Sequence, residues 1–442
     1  MAQAGAAGAQ MIMDRYGQYK PTGPVEWLHL RSSSFSQTCP FSPAAANEDE
    51  LATVLFPNAE HRDPMVGRFQ AAYVGYVAED QFRGQGSSGG MVSWVLAELL
   101  RKGMVDHVAH VTASADPQQE GRFFRYHLSH TEQEIRAGAK SRYYPVELSD
   151  VLKIIRAVPG RYAVVGVPCF IKAIQLLRRD DPVLRERIAF TLGLFCGHMK
   201  SARFVESFAW QMDVPVAEIQ SVEFRLKDPS RPASTYTAQL TLRDGRVVKK
   251  DWWNLADGDW GSGFFQHAAC NFCDDVVAET ADISFGDAWV EPYSSDGNGT
   301  NVVVVRSPVL GQLVAAGIDE RRLTLTPVDS AFVEQTQAAG FRQRREGLAY
   351  RLSWRRFGVS RLKVQPRKRV SPDAKTLSFR RKLIYRMRAL ITAWSHRVFW
   401  LARVLHRPKL YIRAAAAAVA VYHGLAYSRG KIGALVDTVG LR

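Results

Sequence analysis

The sequence predicts an α/β protein with three parts: an N-terminal unit built on a mixed, largely parallel sheet, an α+β second unit that carries cysteines, and a helical basic tail. Between residues 71 and 195, continuous apolar runs alternate with amphipathic helical segments, which is typical of a sheet with parallel strand pairs. Residues 237–252 alternate around Asp244-Gly245 and predict a hairpin. From residue 351 onward, 22 Lys and Arg residues stand against only two acidic residues.

The predicted elements define four segments. A length of 442 residues with 46% apolar content allows two or three folded units. We expect a loop-like segment over residues 1–65, units over 66–200 and 201–350, and the basic amphipathic tail over 351–442. Strands are expected at 71–77, 105–112, 162–166, 188–195, near Ile283 and at 301–306, and helices at 91–102, 151–157 and 170–179.

The chain shows no secretory signal and no apolar run of the roughly 20 residues that a membrane-spanning helix needs, so we expect a cytoplasmic protein. It contains five cysteines. An odd number of cysteines without an export signal favours thiol or metal chemistry over a disulfide framework.

Four cysteines are candidate metal ligands. Cys270 and Cys273 form a C-x-x-C pair, Cys169 opens a helix after one predicted strand, and Cys196 ends the next strand. If those two strands are neighbours, both thiols lie at the carboxyl edge of the sheet. Each cysteine alone could equally be a buried packing residue. Spacing does not distinguish a 4Fe-4S cluster from zinc, and Cys39 stands outside the set.

The segment 84–90 is rich in glycine and serine and lies between a predicted strand and a predicted helix. Such a loop lets the backbone and the helix amides approach a phosphate, and Arg83 beside it favours an anion. The segment matches G-x-G-x-x-G, but no acidic residue ends the following strand, which disfavours a nicotinamide dinucleotide. A flexible surface turn is the alternative interpretation.

Four blocks of sequence resemble the coenzyme F420 hydrogenase/dehydrogenase beta-subunit family over about residues 65–345. They are Gly86-Ser87-Ser88-Gly89-Gly90 with the following 103–106, Val165-Gly166-Val167-Pro168-Cys169, Phe195-Cys196-Gly197-His198, and Cys270-Asn271-Phe272-Cys273 followed by the segment 281–289 that includes Asp287. The resemblance gives no role to His198 or Asp287.

The resemblance implies an oxidoreductase that moves electrons between a 4Fe-4S cluster, FAD and a hydride carrier such as coenzyme F420, or an organic substrate. A redox partner protein or a small electron carrier is implied as well. The implied cluster ligands are Cys169, Cys196, Cys270 and Cys273. The implied FAD contacts are Arg83, Gly86, Ser87, Ser88, Gly89, Gly90, Lys140, Ser141 and Tyr143.

The sequence departs from the family before residue 66. Many relatives carry a ferredoxin-like module there, whereas Cys39 is the single cysteine in this degenerate segment, and one thiol does not hold a cluster. The shortened form is similar to relatives among bacterial polysaccharide-biosynthesis proteins. The alternative hypothesis is a zinc-stabilised or redox-inactive scaffold, or an assembly component, of a cell-surface polysaccharide pathway.

The tail is predicted to contain an amphipathic helix over residues 379–406. Arginines surround its apolar stripe, which suits an anionic membrane surface at the inner face of the membrane. Docking onto the protein's own body or onto a partner helix is the alternative. Nucleic acid is disfavoured because no binding fold accompanies the charge. The stripe consists of Leu383, Met387, Leu390, Trp394, Val398, Leu401 and Leu405.

Overall fold

A computed structural model describes residues 9–24, 33–354 and 369–438. Within these ranges the strands form four sheets. The strands are β1 (Gln10–Met13), β2 (Tyr19–Thr22), β3 (His61–Asp63), β4 (Gly67–Phe69), β5 (Ala71–Val77), β6 (His107–Ala113), β7 (Phe124–Ser129), β8 (Tyr162–Gly166), β9 (Ile188–Leu194), β10 (Ile219–Glu223), β11 (Thr237–Leu242), β12 (Val247–Asp251), β13 (Ile283–Asp287), β14 (Asn301–Val305) and β15 (Leu323–Val328).

The α-helices of the same ranges connect the strands and then form the tail. They are α1 (Ser33–Thr38), α2 (Glu48–Leu55), α3 (Phe82–Gln85), α4 (Met91–Arg101), α5 (Pro117–Glu120), α6 (Glu132–Ala137), α7 (Ser149–Ala157), α8 (Pro168–Asp180), α9 (Pro182–Arg187), α10 (Arg203–Gln211), α11 (Pro308–Asp319), α12 (Ser330–Thr336), α13 (Ala338–Arg344), α14 (Glu346–Ser353), α15 (Phe379–Val404), α16 (Pro408–Tyr427) and α17 (Gly430–Thr438).

The main sheet has eight strands in the order β15-β5-β14-β13-β9-β8-β6-β7. Strands β13, β9, β8 and β6 are parallel to one another, and the remaining neighbours pair antiparallel. The prediction of a mixed α/β fold with a parallel block is therefore confirmed. Strands from both sides of residue 200 share this sheet, because β13 and β14 lie between β5 and β9.

The sheet is buried on both faces. In β8, Ala163 and Val165 belong to a core that contains Trp94 of α4 and Leu310 of α11. The alternate residues of the same strand pack with α7 and α8 on the opposite face. Because successive side chains of a strand point to opposite faces, a strand covered on both sides is apolar throughout. The continuous apolar runs in the sequence have this cause.

The second, smaller sheet is antiparallel and has the order β10-β11-β12. Strands β11 and β12 form the predicted hairpin. Before residue 66 the elements are short, and helix α2 was not predicted. Asn47 caps α2 through a reciprocal pair: its side chain accepts a hydrogen bond from the Glu50 amide, and the Glu50 carboxylate accepts one from the Asn47 amide, both at 2.9 Å.

The tail helices pack onto the body of the protein. Phe399 of α15 stacks on Trp210 of α10 with ring centroids 4.1 Å apart, and its edge meets Phe265 and Tyr411. These residues belong to one hydrophobic core that extends to β11. Docking on the protein's own body, one of the two predicted alternatives, is confirmed for the described tail. The described helices include none that is both long and apolar enough to cross a membrane.

The predicted apolar stripe of the tail helix is confirmed in part, because three of its seven residues pack against the core. Leu390, Leu401 and Leu405 are 58%, 43% and 49% exposed, whereas Ile391 and Phe399 are fully buried. The buried side runs one to two positions later and contains polar residues, namely Thr392, Ser395 and His396. Their polar groups bond to the body or the helix: the Ser395 hydroxyl accepts from the Phe265 amide at 3.2 Å, and the Thr392 hydroxyl donates to the Gly263 carbonyl at 3.3 Å. Hydrophobicity alone therefore located only part of the buried face.

We predict that Phe399→Ala lowers the free energy of unfolding by about 3–5 kcal/mol, because it removes a buried aromatic ring and leaves a cavity. Leu401→Ala, two residues along the same helix, should change it by no more than about 0.5 kcal/mol because Leu401 is half exposed. Denaturant unfolding of both variants measures the difference. Equal effects would contradict a tail docked through Phe399.

Candidate functional site

Three neighbouring strands deliver the functional residues to one edge of the sheet. Strand β8 ends at Gly166, and Val167 and Pro168 lead to Cys169 at the start of α8. Strand β9 ends just before Phe195 and Cys196. Because β8 and β9 are parallel neighbours, the expectation that both cysteines follow strands at the same carboxyl edge is met. Strand β13 pairs in parallel with β9 and ends at Asp287 on this edge.

A cavity of about 790 Å³ opens at this edge, a volume within the usual range for a cofactor site. Eight residues of the predicted set line it, namely Gly86, Ser87, Ser88, Gly90, Lys140, Ser141, Tyr143 and Cys196. Five predicted site residues do not line it, namely Arg83, Gly89, Cys169, Cys270 and Cys273.

The glycine-serine loop, residues 86–90, is packed and is not a flexible surface turn. Gly89 lies against the sheet, where a Cβ atom would stand 2.8 Å from the Gly75 carbonyl oxygen, and Gly90 has a φ of +86°. The Ser87 hydroxyl accepts a hydrogen bond from the Ser141 amide at 2.8 Å. The Ser88 hydroxyl donates to the Thr300 carbonyl at 3.0 Å. These glycines therefore allow close backbone packing, and the serines join the loop to two other segments.

The amino end of helix α4 faces the cavity. Its first turn, Met91 to Ser93, is part of the lining. The side-chain oxygen of Asn301 accepts from the Met91 amide at 3.2 Å. Amides at a helix start carry partial positive charge and bind anions such as phosphates. This end of the cavity can therefore receive a phosphate group.

The two predicted cations beside the loop have different positions. Arg83 turns away from the cavity: its guanidinium pairs with Asp296 at 2.5 Å, donates to the Gly299 carbonyl at 3.0 Å and lies over the Tyr76 ring. Arg83 thus supports the loop from behind. The Lys140 ammonium lines the cavity and pairs with Glu223 at 2.7 Å.

Aromatic side chains form the opposite wall of the cavity. The Tyr143 ring lies 4.7 Å from Trp260 and 5.5 Å from Trp252, measured between ring centroids. Tyr236 meets Trp252 edge to face at 5.2 Å. Such a wall suits a flat ring system, since aromatic faces stack and exclude water.

Two buried cations stand at this aromatic end. The Lys200 ammonium is fully buried, donates to the Phe264 carbonyl at 2.7 Å and lies over the Trp260 ring. Burial lowers the pKa of Lys200 to about 7. The Arg225 guanidinium pairs with Asp287 at 2.9 Å. The cavity therefore combines an apolar wall with positive charge.

His198 lies between Cys196 and Lys200 and lines the same cavity. Its ring stacks on Trp260 with centroids 4.1 Å apart. Burial lowers the pKa of His198 well below its ordinary value. Its Nε2 atom has no hydrogen-bond partner among the described residues. The neutral imidazole thus presents an unpaired nitrogen in a buried wall.

The four candidate ligand cysteines lie within electrostatic range of one another. No disulfide involves them. Burial, together with charge on Cys270 and Cys273, raises the pKa of Cys196 to about 12, although Arg344 opposes the shift. The pKa of Cys169 is raised by burial and then by charge on each of the other three thiols. Such effects weaken with distance, so the four thiols lie in one region of the protein.

Zinc and a 4Fe-4S cluster differ in the spacing that they require of their sulfur ligands. Among the described residues, no three His, Cys, Asp or Glu side chains are grouped closely enough to hold a metal ion. A zinc ion would need its sulfur ligands about 2.3 Å away on all sides. A 4Fe-4S cluster places its own iron and sulfide atoms between four cysteines, so it needs a wider spacing.

The sequence patterns did not identify several residues of the site. Lys200 lies two residues after His198, and Trp260 lies ten residues before Cys270, so closeness in sequence to the cysteines could have marked both as site residues. Arg225 and Arg344 gave no signal, because a single arginine in a chain with 58 Lys and Arg residues is not distinctive.

Comparison with known proteins identifies the family of the chain. Two family models for the beta subunit of coenzyme F420 hydrogenase/dehydrogenase match the chain. The model of its N-terminal part matches residues 72–153, and the model of its C-terminal part matches residues 160–331. Together they cover more than half of the chain. The chain belongs to the coenzyme F420 hydrogenase/dehydrogenase beta-subunit family.

A solved structure shares the fold of this beta-subunit family member. It is a chain of the F420-reducing [NiFe] hydrogenase complex from Methanosarcina barkeri, with a TM-score of 0.51 and 16% sequence identity. The match covers 68% of the present chain and 97% of that chain. No curated protein sequence matches. The family's hydrogenases and dehydrogenases are oxidoreductases, and the present family member is assigned to that class.

We predict that Lys200 makes stability depend on pH. The folded state holds a proton on Lys200 only below about pH 7, whereas the unfolded chain holds it up to the ordinary pKa of 10.5. Between about pH 7 and pH 10.5, unfolding therefore takes up a proton. In this range the free energy of unfolding increases by up to about 1.4 kcal/mol for each unit by which the pH rises.

Lys200→Met should lack this gain. Denaturant unfolding from pH 7 to pH 10, compared between the wild type and the variant, measures it. Lys409→Met, which changes an exposed lysine of the tail, should keep the wild-type dependence. Parallel curves for the wild type and Lys200→Met would contradict a buried lysine with a lowered pKa.

Proposed function

We propose that this chain is an FAD- and 4Fe-4S-dependent oxidoreductase subunit that moves electrons between the cluster, the flavin and a hydride carrier or an organic substrate. The observation that carries the proposal is the position of Cys196. This residue lines the 790 Å³ cavity and also borders the volume shared by the four thiols. A cluster held there would adjoin a flavin held in the cavity.

Cys169, Cys196, Cys270 and Cys273 are the proposed cluster ligands. When bound, a flavin accepts a hydride as a two-electron unit and exchanges single electrons with a cluster. Burial disfavours free thiolates at these positions, as the raised pKa values of Cys169 and Cys196 indicate. A cationic metal core would offset that cost, because it stabilises the deprotonated sulfur.

The cavity residues have separate proposed roles toward FAD. The first-turn amides of α4, with Ser87 and Ser88, bind the phosphates, and Lys140 supplies positive charge beside them. The aromatic wall stacks on the flavin or on its reaction partner and keeps water away from it. Lys200 and Arg225 favour electron-rich ring systems at that end, because positive charge is weakly screened where side chains are buried.

The electron partner is proposed to be another protein or a small carrier. The Methanosarcina barkeri chain belongs to a hydrogenase complex, which is one precedent for a partner protein. Coenzyme F420 is the proposed carrier on the basis of the family. A place in polysaccharide biosynthesis and a cytoplasmic location stay predictions. Membrane binding by the tail was predicted from one continuous apolar stripe. In the structure this stripe is divided between core and solvent, so it no longer supports membrane binding.

Anaerobic purification tests the proposal directly. We expect a brown protein that contains FAD together with iron and acid-labile sulfide in the amounts of one 4Fe-4S cluster per chain. The double variant Cys270→Ser/Cys273→Ser should lose the iron and sulfide, and Cys39→Ser should retain both, since Cys39 is not one of the four facing thiols. A colourless wild type with one zinc per chain would support the scaffold alternative instead.

We predict that Lys140→Met weakens FAD binding about 10-fold, or about 1.4 kcal/mol. The change removes a positive charge from the cavity and leaves Glu223 without its ion-pair partner beside the phosphate end. Lys153→Met is the matched control, because Lys153 lies exposed on α7, pairs with Asp150 and is absent from the lining. FAD titration of the deflavinated proteins measures both. An unchanged affinity in Lys140→Met would exclude this lysine from the FAD site.

A further inference from the structure

Arg344 is a buried cation beside the four thiols. It ends helix α13, beyond residue 331 where the family models stop, and its side chain is 2% exposed. Its Nη2 atom donates to the carbonyl oxygens of Cys196 and Gly197, at 2.8 Å and 2.7 Å. Arg344 therefore holds the backbone at Cys196 and Gly197 in place through these two hydrogen bonds.

The charge of Arg344 has no carboxylate partner in the described part of the chain. No ion pair joins it to an Asp or Glu there, and its Nε and Nη1 atoms have no hydrogen-bond partner there. Its guanidinium instead bonds to the backbone of one proposed cluster ligand, Cys196, and lies near all four thiols, which become negative only when they are deprotonated as cluster ligands.

A buried guanidinium with two unpaired donors is costly unless an anion occupies the space it faces. Among the other buried arginines, Arg225 has Asp287 and Arg369 has Glu279. Arg306 and Arg351 make no ion pair among the described residues either, but each leaves only one nitrogen atom unpaired, whereas Arg344 leaves two. A 4Fe-4S cluster with four thiolate ligands carries net negative charge, and its sulfur atoms accept hydrogen bonds. The donors and charge of Arg344 match such a group.

We infer that Arg344 is a positioning and charge-compensating residue for the iron–sulfur cluster, which holds the Cys196 ligand in place and raises the cluster's reduction potential. This inference rests on the proposed function. Reduction adds one negative charge to the cluster. A nearby positive charge stabilises the reduced form more than the oxidised form, and net charge and hydrogen bonds to sulfur are known to set such potentials.

The test is a redox titration of the cluster in the anaerobic full-length protein, followed by electron paramagnetic resonance, with iron and sulfide measured in every sample. Arg344→Gln should shift the midpoint potential to a more negative value. Arg344→Lys, which keeps the charge, should stay closer to the wild type. Arg413→Gln removes the same charge from an exposed position of α16 that does not line the cavity, and it should shift the potential much less.

Each outcome decides the inference. Loss of iron in Arg344→Gln but not in Arg344→Lys would also support it, since the charge alone then separates the two variants. A wild-type potential in Arg344→Gln would overturn the inference and leave the proposed function intact. Equal shifts in Arg344→Gln and Arg413→Gln, or loss of the cluster in both Arg344 variants, would do the same. A wild type without iron and sulfide would overturn both, and only that result removes the proposed cluster.

Discussion

The site depends on the parallel pairing of β13, β9 and β8. In this register Gly166 lies opposite Gly193, and Leu194 lies opposite Phe285, so the three strands end together. Their following segments must leave the sheet at one edge, which brings Cys169, Cys196 and Asp287 into the same region. The packing there is close: a Cβ atom on Gly286 would lie 2.0 Å from the Phe195 ring. A shift of one residue in this register would change the position of Cys196 relative to Cys169 and to the cavity.

The second constraint is positive charge held away from water. Lys200, Arg225 and Arg344 are all buried near the same edge, and only Arg225 among them has a carboxylate partner in the described residues. Burial of a cation is unfavourable unless other groups compensate it. A protein that keeps such charges around a cavity and four thiols is suited to negative ligands. The same cations would stabilise electrons that arrive there, because the low polarity of the surroundings strengthens their field.

The tail helices support the loop at residues 257–261, a role that the basic composition of the tail does not indicate. Tyr411 of α16 donates to Asp257 at 2.8 Å, and His423 of the same helix bonds to Asp259 at 2.5 Å. Arg388 of α15 also donates to the Gly261 carbonyl. These contacts brace the loop that carries Trp260, which is part of the aromatic wall. The basic segment is thus a structural support of the cavity.

Local sequence patterns were sufficient to predict the alternating strands and helices, the hairpin at residues 237–252, and the four blocks that carry the cysteines and the glycine-serine loop. Apolar periodicity and turn residues express short-range preferences, so they can be recognised without the fold. The same patterns did not show which strands are neighbours, that Arg83 turns away from the cavity, or which face of α15 is buried. Those outcomes depend on contacts between distant segments, such as Phe399 with Trp210 and Arg344 with the backbone at Cys196. Polar residues such as Ser395 become buried only because a partner from another segment satisfies them, and no local pattern carries that information.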